Sequence, residues 1–124
     1  MAIVAVTEQE MVSISEPWVR RGSPARNLIE NLPLLALLLP QVEAAHAAVS
    51  AVHLGRISNA TQINTAMIGW LQMANGLVAH ARLADISPEA DRLLFSAFRT
   101  ARDHAASHGR IPKQQAMGEP RHHE

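Results

Sequence analysis

Seven histidines carry most of the chemistry this chain could perform, because it has no Cys and therefore no thiolate ligand or thiol nucleophile. His104 and His108 are four residues apart, a spacing that puts two imidazoles on one face of a helix. His53 closes an earlier expected helix. If that helix and the one carrying His104 run in the same direction, His53, His104 and His108 gather at one end of a bundle. A Zn or Ni ion is the metal such a set would hold. The competing account needs no metal, since His at a helix C-terminus interacts favourably with the helix dipole. Glu43-x-x-His46 has the i, i+3 spacing that di-iron carboxylate bundles use. A di-iron site needs a second such pair and two further Glu on facing helices. The chain has no second Glu-x-x-His, and Glu30 is the only other Glu in an expected helix before residue 89. His122 and His123 fall in a polar tail.

The run His104-Ala105-Ala106-Ser107-His108-Gly109-Arg110-Ile111 resembles the His-x-x-x-His segment of DinB-like metal-binding bundles. The resemblance covers residues 104–111 of 124 and implies a His-ligated metal in a helical bundle. Other catalytic templates are missing. There is no Gly-x-Gly-x-x-Gly or Walker loop, and no Gly-x-Ser-x-Gly elbow. Asp103 and His104 are sequence neighbours, so on a helix they do not face one another. Arg20, Arg21 and Arg26 lie near Trp18, but these few charges form no basic stripe. Eleven Lys+Arg balance eleven Asp+Glu, so the electrostatic footprint of a nucleic-acid binder is absent.

The elements that would position these residues are mostly helical. Ser23-Pro24 is an N-cap followed by Pro at the first helical position, and it predicts a short helix over 24–32. Pro33 and Pro40 bracket the leucine-rich stretch Leu34–Leu39, and Pro40 restarts a helix that ends near His53 or Leu54 ahead of Gly55. Asn59 and Gln62 have capping-box spacing and open a helix to about Ala84. Ser87-Pro88-Glu89 opens the last helix, which runs to about His108 with Gly109 as its cap. Apolar residues recur at helical spacing in each long segment. They are Leu35, Leu38, Val42, Ala45, Val49 and Val52, then Ile63, Met67, Trp70, Ala74, Leu77 and Ala81, then Ala90, Leu94, Ala97 or Phe98, Ala101 and Ala105. Short links between them imply antiparallel neighbours. The predicted fold is mainly α, a small up-down antiparallel bundle of three long helices and one short one over 23–109, with a polar tail over 110–124.

Residues 1–22 read as an extended N-terminal arm carrying one or two short strands. Ile3, Val4, Val6, Val12 and Ile14 are β-branched, and Ser13 and Ser15 alternate with Val12 and Ile14. Strands this short cannot stand alone, so the arm is expected to lie on a neighbouring chain with Trp18 as its anchor. Deleting residues 1–19 is then expected to leave the helices intact.

The stretch Ser58–Ala81 contains no Asp, Glu, Lys or Arg. A helix with one face in water normally shows charge there. Gly69 and Gly76 sit seven apart on one side, which predicts a close backbone approach. Arg outnumbers Lys ten to one, a bias that interfaces share, although base composition produces it too. The predicted contact with other copies of the chain, or with other protein subunits, uses Trp18, Ile63, Met67, Gly69, Trp70, Met73, Gly76 and Leu77. The expected protein is soluble, cytoplasmic and non-enzymatic, a structural or adaptor subunit that needs no cofactor. Its longest apolar run, Leu34–Leu39, is far short of the roughly 20 residues a membrane span requires. The alternative is the His-ligated metal bundle, with or without catalysis.

Overall fold

The structure, a computed structural model, describes residues 6–107. Six helices follow one another: α1 (Glu8–Val19), α2 (Pro24–Asn31), α3 (Pro33–Ala36), α4 (Leu39–His53), α5 (Ala60–Leu83) and α6 (Pro88–Ser107). The described residues contain no strand, and none of their helices is long and apolar enough to cross a membrane.

The stops and starts from α2 onward follow local chemistry. The Ser23 hydroxyl accepts from the Arg26 amide and donates to the Pro17 carbonyl, so the cap of α2 also ties it back to α1. Gly55 takes φ +75° just past α4. The Gly55 and Arg56 amides donate to the Val52 and Ala51 carbonyls, a Schellman closure that satisfies carbonyls the helix leaves open. Asn59 caps α5 by accepting from the Gln62 amide at 3.0 Å. Ser87 caps α6 through the Ala90 amide at 3.1 Å.

The N-terminal segment is a correction. Residues 8–19 are helix, not an extended arm with strands. Thr7 and Glu10 form a full capping box: the Thr7 hydroxyl accepts from the Glu10 amide, and the Glu10 carboxylate accepts from the Thr7 amide at 2.9 Å. Past that cap the buried residues are Met11, Ile14, Ser15 and Trp18, a 3-1-3 pattern that belongs to a helix face and not to a pleat. Pro17 does not break the helix because it falls in the last turn. The bond its missing N–H would have made is to Ser13, an exposed residue whose carbonyl water can serve.

This helix is part of the chain's own core. α1 packs mainly on α4, and α4 on α5; α1 also meets α2 and α6. All four aromatic residues of the chain form one cluster. Trp18 stacks on Trp70 with centroids 6.0 Å apart, Phe95 meets Trp18 edge-on at 6.2 Å, and Phe98 tilts against Trp70 at 5.8 Å. Trp18 also donates its indole N–H to the Leu94 carbonyl at 2.8 Å, joining α1 to α6. Around the rings lie Met11, Ile29, Leu35, Val42, Val49 and Leu77. Of the apolar faces expected from spacing, Leu35, Val42, Val49, Val52, Met67, Trp70, Ala74, Leu77, Ala81, Leu94, Phe98 and Ala105 are buried. Ala97 is exposed, and Phe98 takes the inward place.

Candidate functional site

Charge is distributed very unevenly over these helices. Between Pro33 and Ala81 only Glu43 and Arg56 are charged, whereas α6 carries Glu89, Asp91, Arg92, Arg99, Arg102 and Asp103. Glu43 is spoken for: its carboxylate accepts from Arg26 Nη1 at 2.9 Å. The same buried guanidinium donates through Nε to Glu30 at 2.8 Å and through Nη1 to the Val19 carbonyl at 2.9 Å. Burial pushes the Arg26 pKa down, but the hydrogen bonds and charges of Glu30 and Glu43 outweigh it and raise the value above its ordinary one. Arg26 therefore clamps α1, α2 and α4 together. It is not a surface cation for a phosphate backbone.

Up to Ala81 the solvent side of α5 presents Thr61, Gln62, Asn64, Thr65, Ile68, Gly69, Gln72 and Ala79, without a charge; the first charge on the helix is the exposed Arg82 in its last turn. Beside it runs a groove of about 490 Å³ between α4 and α5. Its walls are small: Ala44, Ala45 and Ala48 from α4, and Ala66 and Gly69 from α5. Gln41, Thr65 and Gln72 stand along it as neutral polar groups, and Trp70 and Met73 reach it from the core. A side chain added at Gly69 or at Gly76 would meet nothing within 4 Å. The close backbone approach expected at these glycines is thus not made within the chain, and the surface over Gly69 is open.

Trp70 has one unusual property. It is fully buried, yet its indole Nε1–H has no hydrogen-bond partner among the described residues. Buried donors are almost always paired, and an unpaired one costs about 1–3 kcal/mol. The stacked neighbour Trp18, by contrast, has its acceptor in Leu94.

The predicted contact residues separate into two groups. Trp18, Met67, Trp70, Met73 and Leu77 are buried in the core of their own chain. Ile63 and Gly76 are half-buried and Gly69 is exposed. The exposed ridge next to Gly69 is Ile68, at 42% exposure. In the leucine-rich corner Leu35 is buried, while Leu37 is 75% exposed. Spacing alone could not separate the two sides of α5, because up to Ala81 both are uncharged and both contain apolar residues.

The histidines are placed as follows. His53 is exposed at the end of α4. His104 is exposed on α6, where it lines a groove with Glu10, Ser13 and Thr100. α4 and α6 are not among the packed helix pairs. His108 lies outside the described residues. Among the described residues no three His, Asp or Glu side chains gather in a way that could hold a metal ion. The Glu43–His46 pair is otherwise engaged, Glu43 with Arg26 and His46 with Ser15.

The Ser15–His46 contact was not foreseeable once residues 8–19 were read as an arm. The buried Ser15 hydroxyl lies 2.6 Å from His46 Nδ1 and 2.8 Å from the Met11 carbonyl. A hydroxyl has one proton. With Ser15 donating to Met11, His46 Nδ1 carries its own proton and donates to Ser15 Oγ. Burial lowers the His46 pKa, against the opposing pull of Glu16. Ser15 is 0% exposed, so no substrate reaches its oxygen, and the pair is a tie between α1 and α4 and not a nucleophile with its base. Comparison of the chain with protein-family models, with curated proteins and with solved structures returned no match.

Proposed function

We propose that the protein is a non-enzymatic, self-associating helical subunit of a larger cytoplasmic assembly, structural or adaptor in role. Copies join through the neutral face of α5 and the adjoining part of α4. In this reading α4, α5 and α6 alternate in direction, as their short connections require. The observation that carries it is the span 33–81, whose two charges include one already neutralised by Arg26. A surface facing water is ordinarily about a quarter to a third charged residues, which keeps chains apart. A neutral face bearing Ile68, alanines and an open glycine costs little to dehydrate, and its methyl groups favour contact with a like surface.

The test is a charge placed on that face. Gln72→Glu substitutes an exposed side chain and is expected to shift the native particle toward the 13.5 kDa single chain. Leu93→Glu, on the exposed side of α6, is expected to leave the particle unchanged. Equal particle mass for the native chain and the Gln72→Glu variant would refute the proposed surface.

A further inference from the structure

We infer that the groove between α1 and α6 is the docking site for residues 110–117 of the same chain. The inference is independent of the self-association proposed above. This groove, of about 600 Å³, runs along the first half of α1 and the second half of α6. Its apolar part is Ile14, Ala97 and Ala101. The hydroxyls of Ser13, Ser96 and Thr100 and the Gln9 carboxamide stand along it. Gln9, Ser13, Ser96, Ala97 and Thr100 are exposed, so the surface is open to an incoming segment. Small walls and neutral hydrogen-bonding groups suit an extended backbone, whose N–H and C=O groups need partners once they leave water.

Charge and reach select the occupant. Among the described residues the groove is lined by one carboxylate, Glu10, and by no Arg or Lys. Glu10 Oε1 accepts from Thr7, which leaves Oε2 to meet a cation. The nearby cations of α6, Arg99 and Arg102, are taken by Asp91 and Asp103. Residues 110–117, Arg-Ile-Pro-Lys-Gln-Gln-Ala-Met, bring two cations and no acid. Ile111, Ala116 and Met117 supply apolar groups for Ile14, Ala97 and Ala101. Residues 108–124 lie outside the described residues, which end at Ser107, three positions past His104. From His104 back to Ser96 the groove follows about 12 Å of helix. Residues 110–117, when extended, span up to about 26 Å, and Gly109 is suited to turning the chain back along α6. So short a tether holds the segment at an effective concentration of about millimolar, enough to fill a contact too weak for a separate peptide.

Paramagnetic relaxation on the full chain tests this. The chain has no Cys, so Gln114→Cys takes a single nitroxide label. The expected result is loss of the Ser13, Ser96 and Thr100 amide signals, while the Gln72 amide on α5 keeps its intensity. Arg110→Glu combined with Lys113→Glu alters none of the described residues and is expected to restore the lost signals. Glu10→Gln keeps the α1 cap, since Gln serves at that position. It is expected to lower occupancy of the groove about two- to fivefold, the worth of one exposed ion pair. Groove signals that stay sharp, or that broaden no more than Gln72, overturn the inference. Broadening that survives the double charge reversal overturns it as well. A second sample mixes nitroxide-bearing chain with isotope-labelled chain that has no nitroxide. Broadening at the groove in that sample means that the segment comes from another copy, and docking within the chain is overturned.

Discussion

Trp18→Ala separates a core helix from a docking arm. The indole is 1% exposed, stacked on Trp70 at an interplanar angle of 10°, edge-on to Phe95, and bonded to the Leu94 carbonyl. Truncating a buried Trp to Ala costs about 3–5 kcal/mol, from lost transfer energy and the cavity left behind. The stacked pair adds part of about 0.5–1.5 kcal/mol that burial alone does not count. The Leu94 carbonyl lies within α6 and keeps its helical partner, so the lost indole bond adds little more. The expected loss is therefore about 4 kcal/mol, against a typical total of about 5–15 kcal/mol for a domain. For a chain of this size that lowers Tm by roughly 15–25 °C. Urea unfolding followed by far-ultraviolet circular dichroism, at two well-separated protein concentrations, measures it. A core role predicts the same loss at both concentrations. A loss below about 1 kcal/mol, or one that disappears when the protein is diluted, would refute the placement of Trp18 within its own chain.

Three further outcomes follow from the same structure. Gly69→Ala is expected to raise monomer stability by about 1 kcal/mol, since helix propensity improves and the added Cβ meets nothing; a drop in the urea midpoint would show a close neighbour there. His46 is held below its ordinary pKa of 6.5 by burial, so the neutral ring is the form that the fold prefers. The stability it contributes is complete above 6.5 and declines as pH falls from 6.5 toward the lowered folded value, then levels; His46→Asn, which keeps an N–H donor, should flatten that decline, and an unaltered profile would refute it. Removing residues 1–19 is expected to abolish cooperative unfolding, because it strips Met11, Ile14, Ser15 and Trp18 from the core; a truncated chain with full helical dichroism and a sharp transition would contradict this.

The helices from residue 24 onward were legible because each carries its own punctuation. Ser23-Pro24, Gly55, Asn59 and Ser87-Pro88 act within a turn or two, and the structure places caps at all of them. Residues 8–19 were misread for a physical reason. Val12, Ser13, Ile14 and Ser15 satisfy a period of two over four residues and a period of 3.6 over the longer span Met11–Trp18, and β-branched residues favoured the shorter pattern. The signal that decides was Thr7-x-x-Glu10, a capping box placed just ahead of Met11. The site was partly legible. The absence of charge over residues 58–81 can be read directly, but which uncharged residues face inward depends on where α1 and α4 lie. Trp70 illustrates the limit: its spacing marks a core residue, and only the packed ring reveals an N–H without an acceptor.

The mass of the native particle bears most directly on the account. Light scattering or sedimentation equilibrium on the untagged chain, at micromolar concentration and physiological salt, is predicted to give a multiple of 13.5 kDa that falls toward the single-chain value on dilution. A particle of 13.5 kDa at every concentration would contradict self-association through the neutral face of α5.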